Sequence, residues 1–200
     1  YEGGWKKLRN ERYARMLEMG IIDKARWPLP PLEGRVKSWD TIDHKSWRIR
    51  NMAIYAAMVD HMDQAVGTIV RALEKTKELD NTLIIYFHDN GACPEHLSGN
   101  GWNTANNILA KAKKAGKTIA VGDKFDVPMG GPMTYGSGGH NWAIAQNTPM
   151  RRYKANVHNG GAGTPAIMHW PAGLKTKPGS ISEQRGHVGL EAQVKSCEHD

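Results

Sequence analysis

Two hundred residues with 40% hydrophobic and 24% charged content fall within the range of folded globular chains, which excludes wholesale disorder as the starting assumption. Apolar stretches such as residues 82–87 are far shorter than the roughly 20 residues that carry a helix across a bilayer, so no membrane-spanning helix is expected. A formal charge of +7 would steer an anionic partner toward the surface, but Lys and Arg are scattered with no single stripe interleaved with aromatics, so nucleic acid is not the expected partner.

In chain order, residues 1–20 are charged and amphipathic and predict a helix stopped by Gly20. The opening Tyr1-Glu2-Gly3-Gly4-Trp5 has neither an initiator Met nor a basic-then-apolar leader, and it reads as a mid-chain start. Trp27-Pro28-Leu29-Pro30-Pro31 cannot continue a helix, because proline lacks the donor N–H and restricts the residue before it. The clearest helix is predicted over residues 50–79. There Met52, Tyr55, Ala56, Val59, Met62, Val66, Ile69, Val70 and Leu73 recur at three- and four-residue intervals, a stripe expected to pack one face on a core.

Asp80-Asn81 then turns the chain, and Thr82-Leu83-Ile84-Ile85-Tyr86-Phe87 is a continuous apolar run of the kind buried on both faces of a parallel sheet. Helix followed by strand predicts an α/β fold. A further helix is predicted over residues 104–115, ended by Gly116, followed by a long loop over 121–147 rich in Gly, Pro, Ser and Asn. A second strand is predicted within residues 164–170, closed by Pro171-Ala172-Gly173.

Two segments carry chemistry. Asp89-Asn90-Gly91 directly follows the first strand, and open α/β sheets build their sites beyond the carboxyl ends of their strands. A carboxylate and an amide carbonyl are hard oxygen donors suited to calcium or magnesium, and Gly91 lets the backbone turn away; the alternative is a plain Asx turn. The second segment runs Asn147-Thr148-Pro149-Met150-Arg151-Arg152-Tyr153-Lys154 and on through His158-Asn159-Gly160-Gly161. Lys154 offers a point charge to a tetrahedral oxyanion, and Arg151 or Arg152 a planar fork; the alternative is a solvated basic face.

Histidines at 88, 96, 140, 158, 169 and 187 show no zinc spacing; His88 is placed at a strand end and His169 in a strand as a hydrogen-bonded core residue. Cys93 and Cys197 have no C-x-x-C partner and fix no redox compartment.

Taken in order, these motifs resemble the sulfatases of the arylsulfatase type. In that family a helix like the one from Met52 through Asp63, Gly67 and Leu73 precedes a strand ending in Asp-Asn-Gly. Asn147 to Gly161 resembles N-T-P-F-R-x-Y-K-x-x-x-H-E-G-G, with Asn159 where the family has a carboxylate, and Thr164 to Gly173 resembles T-P-x-I-x-x-W-P-x-G. The likeness covers residues 1–188 as part of a catalytic domain and leaves 189–200 as a divergent tail.

It implies an alkaline-phosphatase-like α/β fold, with a mixed, mainly parallel sheet flanked by helices, and hydrolysis of sulfate esters on a small molecule or a glycan. By the same resemblance, Asp89 and Asn90 are calcium ligands, with magnesium the lesser choice. Lys154 binds a sulfate oxygen and stabilises transition-state charge, and His140, in the glycine-rich loop, faces the site. Family compartments are periplasmic, secreted or lysosomal.

The family's nucleophile is a formylglycine made from a C/S-x-P-x-R motif, and no such motif occurs here. Cys93-Pro94-Glu95-His96 places proline one position too early and has no arginine, which rules out Cys93. The acidic pair that completes the family's calcium site is missing as well. The expectation is therefore a longer enzyme that supplies these parts, with the isolated 200 residues inactive. Alternatives are a non-catalytic fragment or anion-binding relic, or a phosphate or phosphonate ester hydrolase of the same superfamily.

Overall fold

The computed structural model describes residues 1–97 and 103–182, which divide into two units. His187, Cys197 and the predicted tail over 189–200 lie outside the described residues. The first unit comprises Tyr1–Asp60 and Asn90–Gly163; the second comprises His61–Asp89 and, of Thr164–Asp200, residues up to 182.

Helix α1, Gly4–Glu18, opens the first unit. It stops as predicted: Gly20 adopts φ +68°, and the amides of Gly20 and Ile21 fold back onto the carbonyls of Leu17 and Met16. Trp5 on α1 is only 1% exposed and meets Trp39 and Trp142 edge-on, with ring centroids 4.9 and 5.4 Å away. Both buried indole N–H groups find acceptors, Trp5 on the Lys37 carbonyl at 2.8 Å and Trp142 on that of Arg48 at 3.1 Å. Met52 and Ala145 complete this core.

Trp142 and Ala145 belong to helix α4, Gly139–Gln146, which lies inside the span predicted as a long loop. The reading failed there for a physical reason. At eight residues the helix is too short to show periodicity, and it is buried nearly all round, so it has no polar face to alternate with an apolar one. Arg12 of α1 closes its far end, donating to the carbonyls of Ala145 and Gln146 at 2.9 and 3.1 Å. Helix α3, Asn103–Lys114, followed by Gly116 at φ +66°, agrees with prediction. A short helix, α5, spans Asn159–Ala162.

Helix α2, Lys45–Thr76, runs longer than predicted at its start, and its stripe is not packed as expected. Of the residues in that stripe only Met52 is buried, and Ile69 is 60% exposed. Periodicity identifies an apolar face, but burial needs an element lying closely along it, and contacts such as that of the Tyr86 hydroxyl with Met62 cover the stripe only in part.

In the second unit, β1, Ile84–Phe87, pairs antiparallel with β4, Ala166–His169, in the register Ile84↔His169 to Phe87↔Ala166. In the first unit, β2, Ala120–Val121, pairs parallel with β3, Thr134–Tyr135. The predicted mainly parallel sheet is thus replaced, among the described residues, by two two-stranded ladders.

Two clamps set the direction of β4. The Thr164 hydroxyl before it bonds the His88 carbonyl after β1 at 2.7 Å, and the Ala172 amide after it bonds the Asp80 carbonyl before β1 at 2.8 Å. An apolar run predicts burial but not which way a neighbour runs. No described residue of the second unit is buried, and His169, predicted as a core histidine, is exposed on β4.

Trp142→Ala is expected to lower stability by about 3–5 kcal/mol, whereas Ile69→Ala should stay within about 0.5 kcal/mol. Urea titration followed by far-ultraviolet circular dichroism measures both, and equal shifts would contradict this assignment of the core.

Candidate functional site

After β1 the chain leaves the second unit through His88 and Asp89 and enters the first at Asn90. On the strand side, the Tyr86 hydroxyl lies 3.0 Å from His88 Nε2, which places His88 at the strand end as predicted. Asp89 is exposed and Asn90 half-buried.

Beyond Asn90 the backbone is held residue by residue. Gly91 N–H donates to the Gly161 carbonyl at 3.3 Å, Ala92 N–H to Asn147 Oδ1 at 3.1 Å, and Lys154 N–H to the Ala92 carbonyl at 3.1 Å. Lys154 is therefore fastened by its backbone two residues past Asn90. Asn147 then uses its Nδ2 to donate to the carbonyls of Arg152 and Gly160, at 2.8 and 2.6 Å.

The glycines here serve close approach. A Cβ on Gly91 would run into the Gly160 carbonyl, one on Gly160 into the carbonyls of Arg151 and Arg152, and one on Gly161 into that of Asn156. Gly91 was read as a turn residue, but its φ is not positive; the backbone packed against it is what excludes a side chain.

The basic run divides its charges between two carboxylates. Arg151 grips Glu33 with two parallel bonds of 2.9 Å, and Arg152 adds one of 3.2 Å. The hydrogen bond from Arg151 holds the Glu33 carboxyl below its ordinary range; burial opposes it, and the charge of Arg151 and then Arg152 add to the lowering. The Arg151 fork is thus engaged at Glu33, and Arg152 reaches the same carboxylate through one nitrogen. Lys154 Nζ instead lies 3.5 Å from Glu95 Oε1, while Glu95 Oε2 accepts the Cys93 thiol at 3.2 Å. Desolvation of the Cys93 sulfur pushes that thiol above its ordinary range against the opposing backbone N–H of Glu95, and the Glu95 carboxylate adds to the rise.

His140 is the second residue of α4, not a loop residue. Its ring lies 5.3 Å from that of His96 and 5.4 Å from that of Tyr153, the neighbour of Lys154, and its buried Nδ1 has no protein hydrogen-bond partner. Burial first, then the charges of His96 and Arg35, push the imidazole below its ordinary value. His96 in turn sets Nδ1 3.3 Å from Asp123 Oδ2. Sequence reasoning missed Asn147, Glu95 and the His96–Asp123 pair as site-building residues. Asn147 stood at the head of a quoted motif, but nothing local marks an amide that bonds across 55 residues.

Asp89 and Asn90 bring two hard oxygen donors to one bend, the type calcium takes, though calcium fills roughly six to eight positions. Among the described residues no three His, Cys, Asp or Glu side chains gather into a cation cage.

The pattern of the family described as Sulfatase matches residues 11–194. An uncharacterized sulfatase of Schizosaccharomyces pombe is 31% identical over 189 residues, covering 92% of this chain and 31% of the relative. An arylsulfatase of Klebsiella aerogenes is 27% identical over 179 residues, covering 86% of this chain and 34% of the relative. The chain spans about a third of the length of these curated relatives.

Removing the organising amide with Asn147→Ala should cost about 2–4 kcal/mol, since three backbone groups lose their partner at once. Amide exchange should quicken at Ala92, and unchanged protection there would refute the assignment. A second expectation concerns acid. Unfolded His140 takes up a proton near pH 6.5 whereas the folded ring resists it, so its contribution is full above about pH 6.5 and is lost as pH falls below that. Denaturant midpoints from pH 7.5 to 5.5 should fall less steeply for His140→Gln than for the native chain.

Proposed function

The chain belongs to the sulfatase family, and from that premise we propose that it supplies part of the metal and anion site of a sulfate-ester hydrolase of the arylsulfatase kind, within a longer polypeptide. The observation that carries the reading is the hydrogen bond from the Lys154 amide to the Ala92 carbonyl, which fastens the ammonium-bearing residue to the segment leading out of Asp89-Asn90.

Calcium would be held by the Asp89 carboxylate and the Asn90 side-chain carbonyl, and it supplies Lewis-acid polarisation of the ester when bound. Magnesium, which demands tighter octahedral geometry, is the lesser match. Lys154 donates to a sulfate oxygen and meets the negative charge that grows there. Its backbone is held beforehand, so less reorganisation is needed when the ester arrives. His140, neutral and packed beside Tyr153, supports the wall next to Lys154.

The formylglycine nucleophile would come from the two thirds of the relatives' length that this chain does not span, which leaves residues 1–200 inactive by themselves. The substrate is a sulfated small molecule or glycan, drawn in by a chain of net charge +7.

In the longer polypeptide, Lys154→Ala is expected to lower kcat toward an aryl sulfate by about 10²–10³-fold. Chelation of calcium should abolish turnover, and its return should restore it. Undiminished turnover by Lys154→Ala, or turnover by residues 1–200 alone, would refute the reading.

A further inference from the structure

The ammonium assigned to the anionic ester has a carboxylate beside it, an arrangement that opposes anion binding unless it serves a purpose. Both oxygens of Glu95 are engaged: Oε1 lies 3.5 Å from Lys154 Nζ, and Oε2 accepts the Cys93 thiol at 3.2 Å. The carboxylate is therefore oriented by two groups, and the backbone of Lys154 is fixed independently at Ala92. The side chains of Lys154 and Glu95 are 40% and 24% exposed, and a pair so open to solvent contributes little to stability. Glu33 pairs with the neighbouring Arg151 and Arg152, and Glu95 is the carboxylate that stands beside Lys154.

We infer that Glu95 is a charge-selecting residue of the anion site, setting Lys154 to receive a singly charged sulfate monoester and to disfavour doubly charged anions of the same tetrahedral shape. The inference rests on the proposed role of Lys154. Shape does not separate sulfate from phosphate, but charge does. A sulfate monoester carries one negative charge, whereas a phosphate monoester, with its second proton leaving near pH 6, carries about two at pH 8.

An isolated ammonium would attract the dianion about twice as strongly as the monoanion. With a carboxylate held next to it the local charge is nearly balanced, and the second negative charge of the ligand gains attraction from Lys154 only to lose it to Glu95. The same carboxylate favours departure of product. Hydrolysis converts the ester monoanion and water into an alcohol, a proton and inorganic sulfate, and that sulfate is the dianion Glu95 repels.

The test titrates residues 1–200 at pH 8 with phenyl sulfate, inorganic sulfate, phenyl phosphate and inorganic phosphate, following the Lys154 and Glu95 resonances by NMR. Glu95→Gln should tighten the dianions about three- to tenfold relative to phenyl sulfate, the gain should shrink as salt is raised, and Glu95→Asp should restore the discrimination. If Lys154→Ala weakens all four ligands while Glu95→Gln shifts monoanion and dianions equally or not at all, the inference is overturned and the Lys154 reading stands. Should Lys154→Ala bind all four as the native chain does, or should no ligand move either resonance, both fall together.

Discussion

Asn147 stands at the C-terminal end of α4 with its carboxamide spread across three backbone segments, and the arrangement around Lys154 depends on that one side chain. Its oxygen takes the amide of Ala92; its nitrogen serves the carbonyls of Arg152 and Gly160. An amide is the side chain that can accept and donate in opposite directions from one planar group, so aspartate or leucine of the same size could not do both. Gly91, Gly160 and Gly161 follow from it: once the segments are drawn together, no Cβ fits where their backbones meet.

The base of α4 is held just as firmly from the other direction. Trp142 is locked into the tryptophan cluster with Trp5 and Trp39, and Arg12 closes the last carbonyls of the helix. The helix carrying His140 and ending at Asn147 is thus continuous with the best-packed part of the first unit. That suits a group whose task is to position others, because precision at a site comes from rigid elements behind it.

Charge is apportioned within the same unit. Glu33 takes Arg151 in the paired geometry that suits guanidinium and a single bond from Arg152, and Glu95 takes the lysine. Three cations in four residues are thereby sorted between two carboxylates, one of them bidentate and the other a looser contact with a point charge. The second unit differs in kind. It has a ladder and the end of a long helix but no buried residue among those described, so its elements are clamped by hydrogen bonds at their ends.

Much of this was readable beforehand where local chemistry decides. Helices α1 and α3, their glycine stops, both strands of the second unit, and the bend at Asp89-Asn90 follow from periodicity, apolar runs and turn residues, which act over a few positions. The sulfatase family was readable too, since motif order survives when single residues drift. Tertiary structure alone decided that residues 139–146 form a helix, that β4 runs antiparallel to β1, that only Met52 of the α2 stripe is buried, and that Arg151 and Arg152 turn to Glu33 while Lys154 turns to Glu95. Each of those outcomes depends on partners far along the chain, 59 positions for Lys154 and Glu95 and 118 for Arg151 and Glu33, or on how closely other elements cover a face. Local composition carries no record of which distant group will arrive, so only the folded chain settles it.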